Sequence, residues 1–399
     1  MATAIISALL AQFGTKKMRD VYIVGLGFTP VREHWSLSLR QLGARAIVAA
    51  LADAREETAE SLYVSNMLAG QISAQENLAT LLADESGLLP IEAVRVEAAC
   101  GSGGAAVRNA TLAVASGAVE RALAVGVEKM TDVTGPHVAA GLATASDQDF
   151  EASFGLSFVA MAGLLMQRYL YETKRSREAF APFVVNAHRN AMTAEHAMFR
   201  SGVTTEQYLR SPMAAEPLSV LDAAPVCDGA AALLLCSKEA LRPHHHPIRI
   251  AGSAIATDTI SLAARRCLTK LQSAETSSNK ALRQAQVTND QIQLFEPHDA
   301  FTIMTTLALE ACGFAKPGTA LDMAKDGAFE PNGKLPICTM GGLKGRGHPV
   351  GASGVYQIAE ACLQLRGEAG KNQISGVKRA MTQIIGGHGA VAITHILEA

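Results

Sequence analysis

The 399-residue chain carries 35 Lys plus Arg against 37 Asp plus Glu, and 49% of it is hydrophobic and 18% charged. That apolar content offsets the entropy of ordering the chain, which excludes global disorder, and the length excludes one small domain. A formal charge of −2 with no block of like charges excludes the footprint of a nucleic-acid binder, and no apolar run reaches the roughly 18 to 20 residues of a membrane span.

Residues 1–17 read as an extension ahead of Met18, with neither a basic signal-peptide start nor an Arg-rich transit pattern. From Met18 short apolar runs alternate with helix-length amphipathic stretches, which predicts an α/β fold with a parallel sheet covered by crossover helices. In the first half, 18–245, strands are predicted at 21–26, 62–67, 94–99, 122–127 and 230–236. The segment 131–222, richer in Met, His, Arg and Tyr, is too long for a plain loop and reads as an inserted subdomain. In the second half, 246–399, strands are predicted at 249–254, 292–296, 339–342, 380–385 and 391–396. Between the halves, Pro243-His-His-His-Pro247 is weighed as a metal site and read instead as an extended, exposed linker.

A repeat connects the halves. Gly101-Ser-Gly-Gly104 opens an apolar block ending at Gly117, and Gly351-Ala-Ser-Gly354 opens another ending at Gly367; each block spans 17 residues. Each also leads to a basic residue that starts a strand, Arg121 or Arg379. Internal duplication is the leading reading.

Cys100 ends an apolar strand and precedes the first block. A thiol at a helix N-terminus meets the positive end of the dipole and unpaired N–H groups, so a lowered pKa and a nucleophilic thiolate are expected. The neighbouring glycines let a carbonyl approach the backbone, where N–H groups face a developing oxyanion. His348, in Gly347-His-Pro-Val-Gly351, precedes the paired block. If the two helix N-termini converge, its imidazole meets Cys100 and takes the thiol proton. Gly345 and Gly347 suggest special dihedrals around it. His298, in His298-Asp-Ala-Phe301 after a strand, is placed to donate to a carbonyl oxygen gaining charge, with Asp299 fixing its tautomer or pinning the loop. The seven cysteines are odd in number and never paired as CxxC, which argues against a disulfide framework or zinc knuckle and for a reducing cytoplasm. Cys236, Cys312 and Cys362 read as core. Lys344 and Arg346 are either solvated or positioning groups, and the insert's basic residues, Arg168 to Arg210, are mostly a solvated face.

Taken in order, Ala-Cys100-Gly-Ser-Gly-Gly, Asp228-Gly-Ala-Ala-Ala232, His298-Asp-Ala-Phe301, Gly347-His-Pro-Val-Gly-Ala-Ser-Gly354 and Gly386-Gly-His-Gly389 resemble the motifs of the thiolases. His-Asp-Ala-Phe, where many thiolases have Asn-Glu-Ala-Phe, is most similar to the sterol-carrier-protein-like group of archaea and bacteria. The resemblance covers about residues 18–399. It implies a five-layer α-β-α-β-α fold from two related halves, with an inserted loop domain that contributes to coenzyme A binding. It further implies coenzyme A thioesters as substrates, no permanently bound cofactor and no metal. Cys100 would carry the acyl group, His348 would activate it, and backbone N–H groups with His298 and His348 would hold the oxyanions, with Gly386, Gly387 and Gly389 forming the last loop. Implied partners are a second copy or three further copies of the chain, and a small OB-fold protein with a second condensing enzyme. In one respect the chain departs from the pattern. Many thiolases carry a second acid/base cysteine, and here Ala300 and His388 stand in the segments that would hold it. His388 and Cys338 are the replacement candidates. The expected activity joins two acetyl-CoA into acetoacetyl-CoA and CoA, or reverses that step. Transfer to a non-CoA acceptor and a non-catalytic scaffold are the alternatives.

Overall fold

The computed structural model describes residues 18–399; the extension expected over 1–17 lies outside the described residues. Runs of Val, Ile, Leu and Ala make β1 (Val21–Phe28), β2 (Ser61–Ser65), β3 (Glu92–Val96), β4 (Arg121–Glu128) and β5 (Gly229–Ser237). The second half supplies β6 (Ile248–Thr257), β7 (Leu294–Glu296), β8 (Arg379–Gly386) and β9 (Val391–Glu398). They form one nine-stranded sheet in the order β3-β2-β4-β5-β1-β6-β9-β8-β7.

The sheet mirrors itself about the β1–β6 junction, where Tyr22 faces Arg249 and Ile23 faces Ile248. Outward from there each half pairs antiparallel, antiparallel, then parallel: β1–β5, β5–β4 and β4–β2 on one side, β6–β9, β9–β8 and β8–β7 on the other. β3 extends the first parallel ladder, and an isolated bridge from Phe295 to Ile337 extends the second. The sheet is therefore mixed, and the wholly parallel expectation is corrected. Alternating composition reports that helices lie between strands, but not the direction in which β5 and β9 enter between their neighbours. The strand expected at 339–342 is also absent. Cys338 (φ 50°) and Gly341 (φ 103°) are both left-handed, which an extended ladder does not admit, and Ile337 holds the strand position instead.

The longer helices build the other layers. α1 (Leu39–Ala54), capped by Ser38 and Gln41 in a reciprocal box, covers the outer face of the first half. α2 (Ser102–Ser116) lies between the halves. Within the segment joining β4 to β5 are α3 (Phe158–Thr173) and α4 (Ala181–Ala191). α5 (Gln272–Ala285) covers the outer face of the second half, α6 (Thr302–Ala311) packs beside it, and α7 (Ser353–Arg366) joins α2 in the middle layer. With α1 and α5 outermost, this is the five-layer α-β-α-β-α order.

Val107, Ala110 and Val114 of α2 and Val355, Ile358 and Cys362 of α7 are buried together with Ile23, Leu233, Leu294 and Ile384 from both halves of the sheet. Each such aliphatic side chain contributes about 1.5 to 3 kcal/mol on burial, so this middle layer ties the halves together. The helices touch backbone to backbone. A Cβ on Gly103 would lie 2.8 Å from the Val355 nitrogen, and one on Gly354 would lie 2.6 Å from the Gly104 nitrogen. Glycine at these repeat positions thus brings the two N-termini side by side.

The histidine run is a turn folded onto the end of α1, not the exposed linker expected. His244 Nε2 meets the Ala54 carbonyl oxygen, and the buried His245 accepts from the Arg242 N–H and faces Glu56. Among the described residues no helix is long and apolar enough to cross a membrane.

Candidate active site

Cys100 sits on the sharp connection between β3 and α2. Ala99 holds a left-handed φ of 51°, a conformation a side chain adopts only where its surroundings impose it. The Ser102 hydroxyl fixes the bend by accepting from the Ala98 N–H (2.9 Å) and donating to the Ala99 carbonyl (2.5 Å). α2 begins at Gly101 and α7 at Ala352 without a capping side chain, so the first N–H groups of both helices remain available.

The structure brings Cys100, His298 and His348 together. One ligand atom from each, the Cys100 sulfur and a ring nitrogen of each histidine, lies within 4.8 Å of the others, and the two rings meet edge to face at 5.1 Å. All three side chains are buried. A thiol and two imidazoles are also donor types that bind zinc. Two surface cavities, of about 1160 and 750 Å³, are lined by none of the three.

Ser353 settles which nitrogen of His348 carries the proton. Its hydroxyl donates to the Pro349 carbonyl (3.0 Å), so it accepts from His348 Nδ1–H at 2.7 Å. The lone pair is left on Nε2, the nitrogen free to accept a proton. Ser353→Ala should release the ring and lower kcat about 10- to 100-fold with little change in KM, measured by steady-state kinetics. Burial, then His298 and Arg346, hold His348 well below its usual range, and burial holds His298 at about 4 despite the raising effect of Asp299. Burial thus favours the neutral form of both rings.

The thiolate expectation is corrected. Burial, with Glu128 and Glu97 adding to it, pushes the Cys100 thiol up to about 12. Loss of water outweighs the helix N-terminus, and the resting pair is a neutral thiol beside a neutral imidazole. Glu128 is buried and tethers both halves by accepting from Asn66 Nδ2–H and the backbone N–H groups of Met67, Leu68 and Gly351, at 2.8 to 3.1 Å. Burial raises its own pKa to about 7, those contacts opposing.

Asp299 pins the loop and leaves the His298 tautomer alone. Its carboxylate accepts from the Leu343 N–H and from Lys344 Nζ (2.8 Å), while His298 Nδ1 is buried without a partner. Lys344 and Arg346 are therefore positioning groups, 1% and 0% exposed. Gly347 has the expected left-handed φ of 111°. Gly345 does not; it is small because a Cβ would lie 2.8 Å from the Ala187 carbonyl oxygen.

Cys338 is turned toward Asp299 and outside the Cys100 cluster; burial and the Asp299 charge keep its thiol well above the usual range. The His388 ring lies tilted against Phe158, centroids 4.0 Å apart, and stacks on Phe301 at 6.0 Å. Its ring is bonded to the Phe158 backbone, and its Nε2 is buried with no partner. Gly386 lies against the Cys100 turn, where a Cβ would be 2.2 Å from the Ala98 carbonyl oxygen; Gly387 and Gly389 have left-handed φ of 63° and 105°. Asp228 of the Asp-Gly-Ala-Ala-Ala motif is structural. It accepts from the backbone N–H groups of His34, Met130 and Thr131. Arg168, Arg175, Arg189 and Arg210 of the insert pair with acids at the surface.

Ser353, Glu128 and Asn66 were not singled out by sequence reasoning. Ser353 lies within the motif around His348, and Glu128 is a charged residue closing an apolar strand; both are signals once noticed.

Fold and site together define a class of enzyme: an acyltransferase built from two α/β halves, with a cysteine offered by one and histidines by the other. The chain belongs to the thiolase family, its residues 21–239 matching the thiolase N-terminal domain and 254–399 the thiolase C-terminal domain-like family. It is 43% identical over 382 residues to an acetyl-CoA acetyltransferase of Methanothermobacter thermautotrophicus, covering 95% of this chain and 99% of that one. It is 32% identical to benzoylsuccinyl-CoA thiolase subunit BbsB of Thauera aromatica, covering 93% and 96%. Among solved structures it resembles the Ltp2-ChsH2(DUF35) aldolase, with a TM-score of 0.83, 25% identity and coverage of 95% and 98%.

Proposed function

We propose that this thiolase-type acyltransferase condenses two acetyl-CoA into acetoacetyl-CoA and CoA, or cleaves acetoacetyl-CoA with CoA, through an acyl thioester on Cys100. The observation that carries this reading is the Cys100–His298–His348 convergence, with the His348 lone pair left on Nε2.

In the first half-reaction His348 takes the thiol proton as sulfur attacks the thioester carbonyl. The tetrahedral oxyanion is held by His298 and backbone N–H groups, and the proton passes to the departing CoA sulfur. In the second, a base removes the α-proton of another acetyl-CoA. The carbanion attacks the acyl group, Cys100 leaves as thiolate, and the α-proton taken by the base returns to the Cys100 sulfur, which restores the thiol and the free base.

We assign that base to His388, whose bare Nε2 beside Phe301 takes the place of the absent cysteine; Cys338 faces the Asp299–Lys344 pair instead. Burial and Arg265 keep His388 neutral, at about 3, so its lone pair is free across the working range. His388→Gln should leave acetylation of Cys100 by acetyl-CoA intact and lower acetoacetyl-CoA formation at least about 100-fold. Intact-protein mass spectrometry reads the first step and a coupled assay the second. Loss of both steps in a folded variant would remove His388 from this role.

The 18–245 and 246–399 halves, with an inserted loop domain of about 131–222, are the units we assign to this chemistry. Supporting a homodimer, β3 lies at the edge of the sheet with Val94 exposed. The ChsH2(DUF35) component of the similar aldolase supports a small OB-fold partner here, with a second condensing enzyme as consumer of the product. Seven cysteines without a disulfide suit a reducing compartment such as the cytoplasm.

A further inference from the structure

Arg265 lies in the segment between β6 and α5. It is 8% exposed, and Nη2 donates to the His388 carbonyl oxygen at 2.7 Å. Among the described residues, the buried Nε and Nη1 have no partner. A guanidinium offers five N–H groups and stays charged at any working pH, so a buried one is ordinarily met by acceptors. This one is not.

The acids nearby are engaged elsewhere. Glu151 accepts from the Ser261 hydroxyl and from the Leu262 and Asp147 N–H groups, and Asp258 accepts from the Thr259 N–H. Both carboxylates act on Arg265 at a distance, and burial still leaves its pKa below the ordinary value.

Position gives the unused donors a meaning. A Cβ on Gly389 would lie 2.8 Å from Leu271 Cδ2 and 3.3 Å from Arg265 Nη2, so the guanidinium borders the loop that carries His388. Phe158, Leu262 and Leu271 belong to the same apolar cluster as Cys100 and Phe301. The His388 ring feels the charges of both Arg265 and His298, so the guanidinium lies on the far side of the His388 loop from the Cys100–His298–His348 cluster, within an apolar lining.

We propose that Arg265 receives a carboxylate borne on the acyl chain, making ω-carboxyacyl-CoA thioesters a preferred substrate class. The inference rests on the reading of Cys100 as acyl carrier. A neutral chain of the same length leaves the buried N–H groups unpaired, whereas a carboxylate satisfies them with charge-assisted hydrogen bonds. Discrimination of this kind is larger than that produced by chain length alone.

The test compares acylation of Cys100 by succinyl-CoA and by butyryl-CoA, followed by intact-protein mass spectrometry in single turnover. The wild-type rate constant should favour succinyl-CoA at least about tenfold, and R265Q should bring the ratio to about one. R265K, which keeps the charge but not the planar fork, should fall between, and it decides the question with the wild-type ratio if R265Q does not fold. An adduct from both thioesters at equal rates, with the ratio unmoved by either variant, overturns the carboxylate site and leaves the Cys100 reading intact. No adduct from either, nor from acetyl-CoA, overturns the Cys100 reading itself.

Discussion

Cys100→Ala should abolish acyl transfer, lowering thiolysis of acetoacetyl-CoA by on the order of 10⁴-fold or more, with no acetyl adduct at any time point. The size of the effect follows from the geometry. His348 takes its tautomer from Ser353 and shares its cluster with the Cys100 sulfur, so removal of that sulfur leaves the cluster without its thiol. Water in place of the side chain is a weaker nucleophile and yields hydrolysis, not an acyl-enzyme. The fold should survive, because alanine fits a connection held by Ser102 and by the Gly101 N–H bonded to the Ala98 carbonyl. Circular dichroism and thermal melting check that point. Unchanged thiolysis in a folded Cys100→Ala protein would end the proposed mechanism.

The pH profile of the wild-type enzyme carries the same logic. Burial raises the thiol to about 12 and holds His348 well below its usual range. The active form is then the neutral pair, in which proton transfer accompanies attack. Activity rises with pH as His348 loses its proton, and that acid limb should lie below about pH 6.5, the ordinary histidine value. A preformed thiolate would give instead a limb set by ionisation of the sulfur.

Sequence made the proposed nucleophile legible and its electrostatics illegible for one physical reason. Cys100 announces itself through a strand, a reactive side chain and then glycines at a helix start, His298 through its place at a strand end, and His348 through the glycines around it. Their pKa values depend on how much water the assembled halves exclude, and on a carboxylate such as Glu128 that is distant along the chain from the Gly351 N–H it accepts. Strand positions were likewise readable from apolar runs, whereas the antiparallel entry of β5 and β9 was not, because direction is set by pairing between distant segments. The repeat of Gly101–Gly104 and Gly351–Gly354 was readable because close backbone contact demands glycine. Ser353, Glu128 and Arg265 act through partners that only the fold supplies.

Arg346→Met should cost about 3 to 5 kcal/mol of stability, the largest loss expected from a side chain that makes no chemistry. Arg346 is fully buried, donates through Nη1 to Glu360 at 2.7 Å, and lies over the Tyr356 ring at 5.1 Å. Glu360 is 1% exposed and its other oxygen meets His196 Nε2 at 2.7 Å. Methionine fills much of the volume but strands the carboxylate without its cation, and an unpaired buried charge is costlier than the loss of the pair. Adding Glu360→Gln removes that charge, so the double variant should recover a substantial part of the stability lost by Arg346→Met. Chemical denaturation of the two single variants and the double one forms the cycle that isolates the coupling. Equal stability of Arg346→Met and wild type, or strict additivity in the cycle, would show that the pair does not hold this loop. Because Arg346 lies two residues before His348 and Glu360 lies on α7, a loosened pair frees the imidazole as well. kcat should therefore fall in Arg346→Met even at temperatures where the protein remains folded, and rise again with the second substitution.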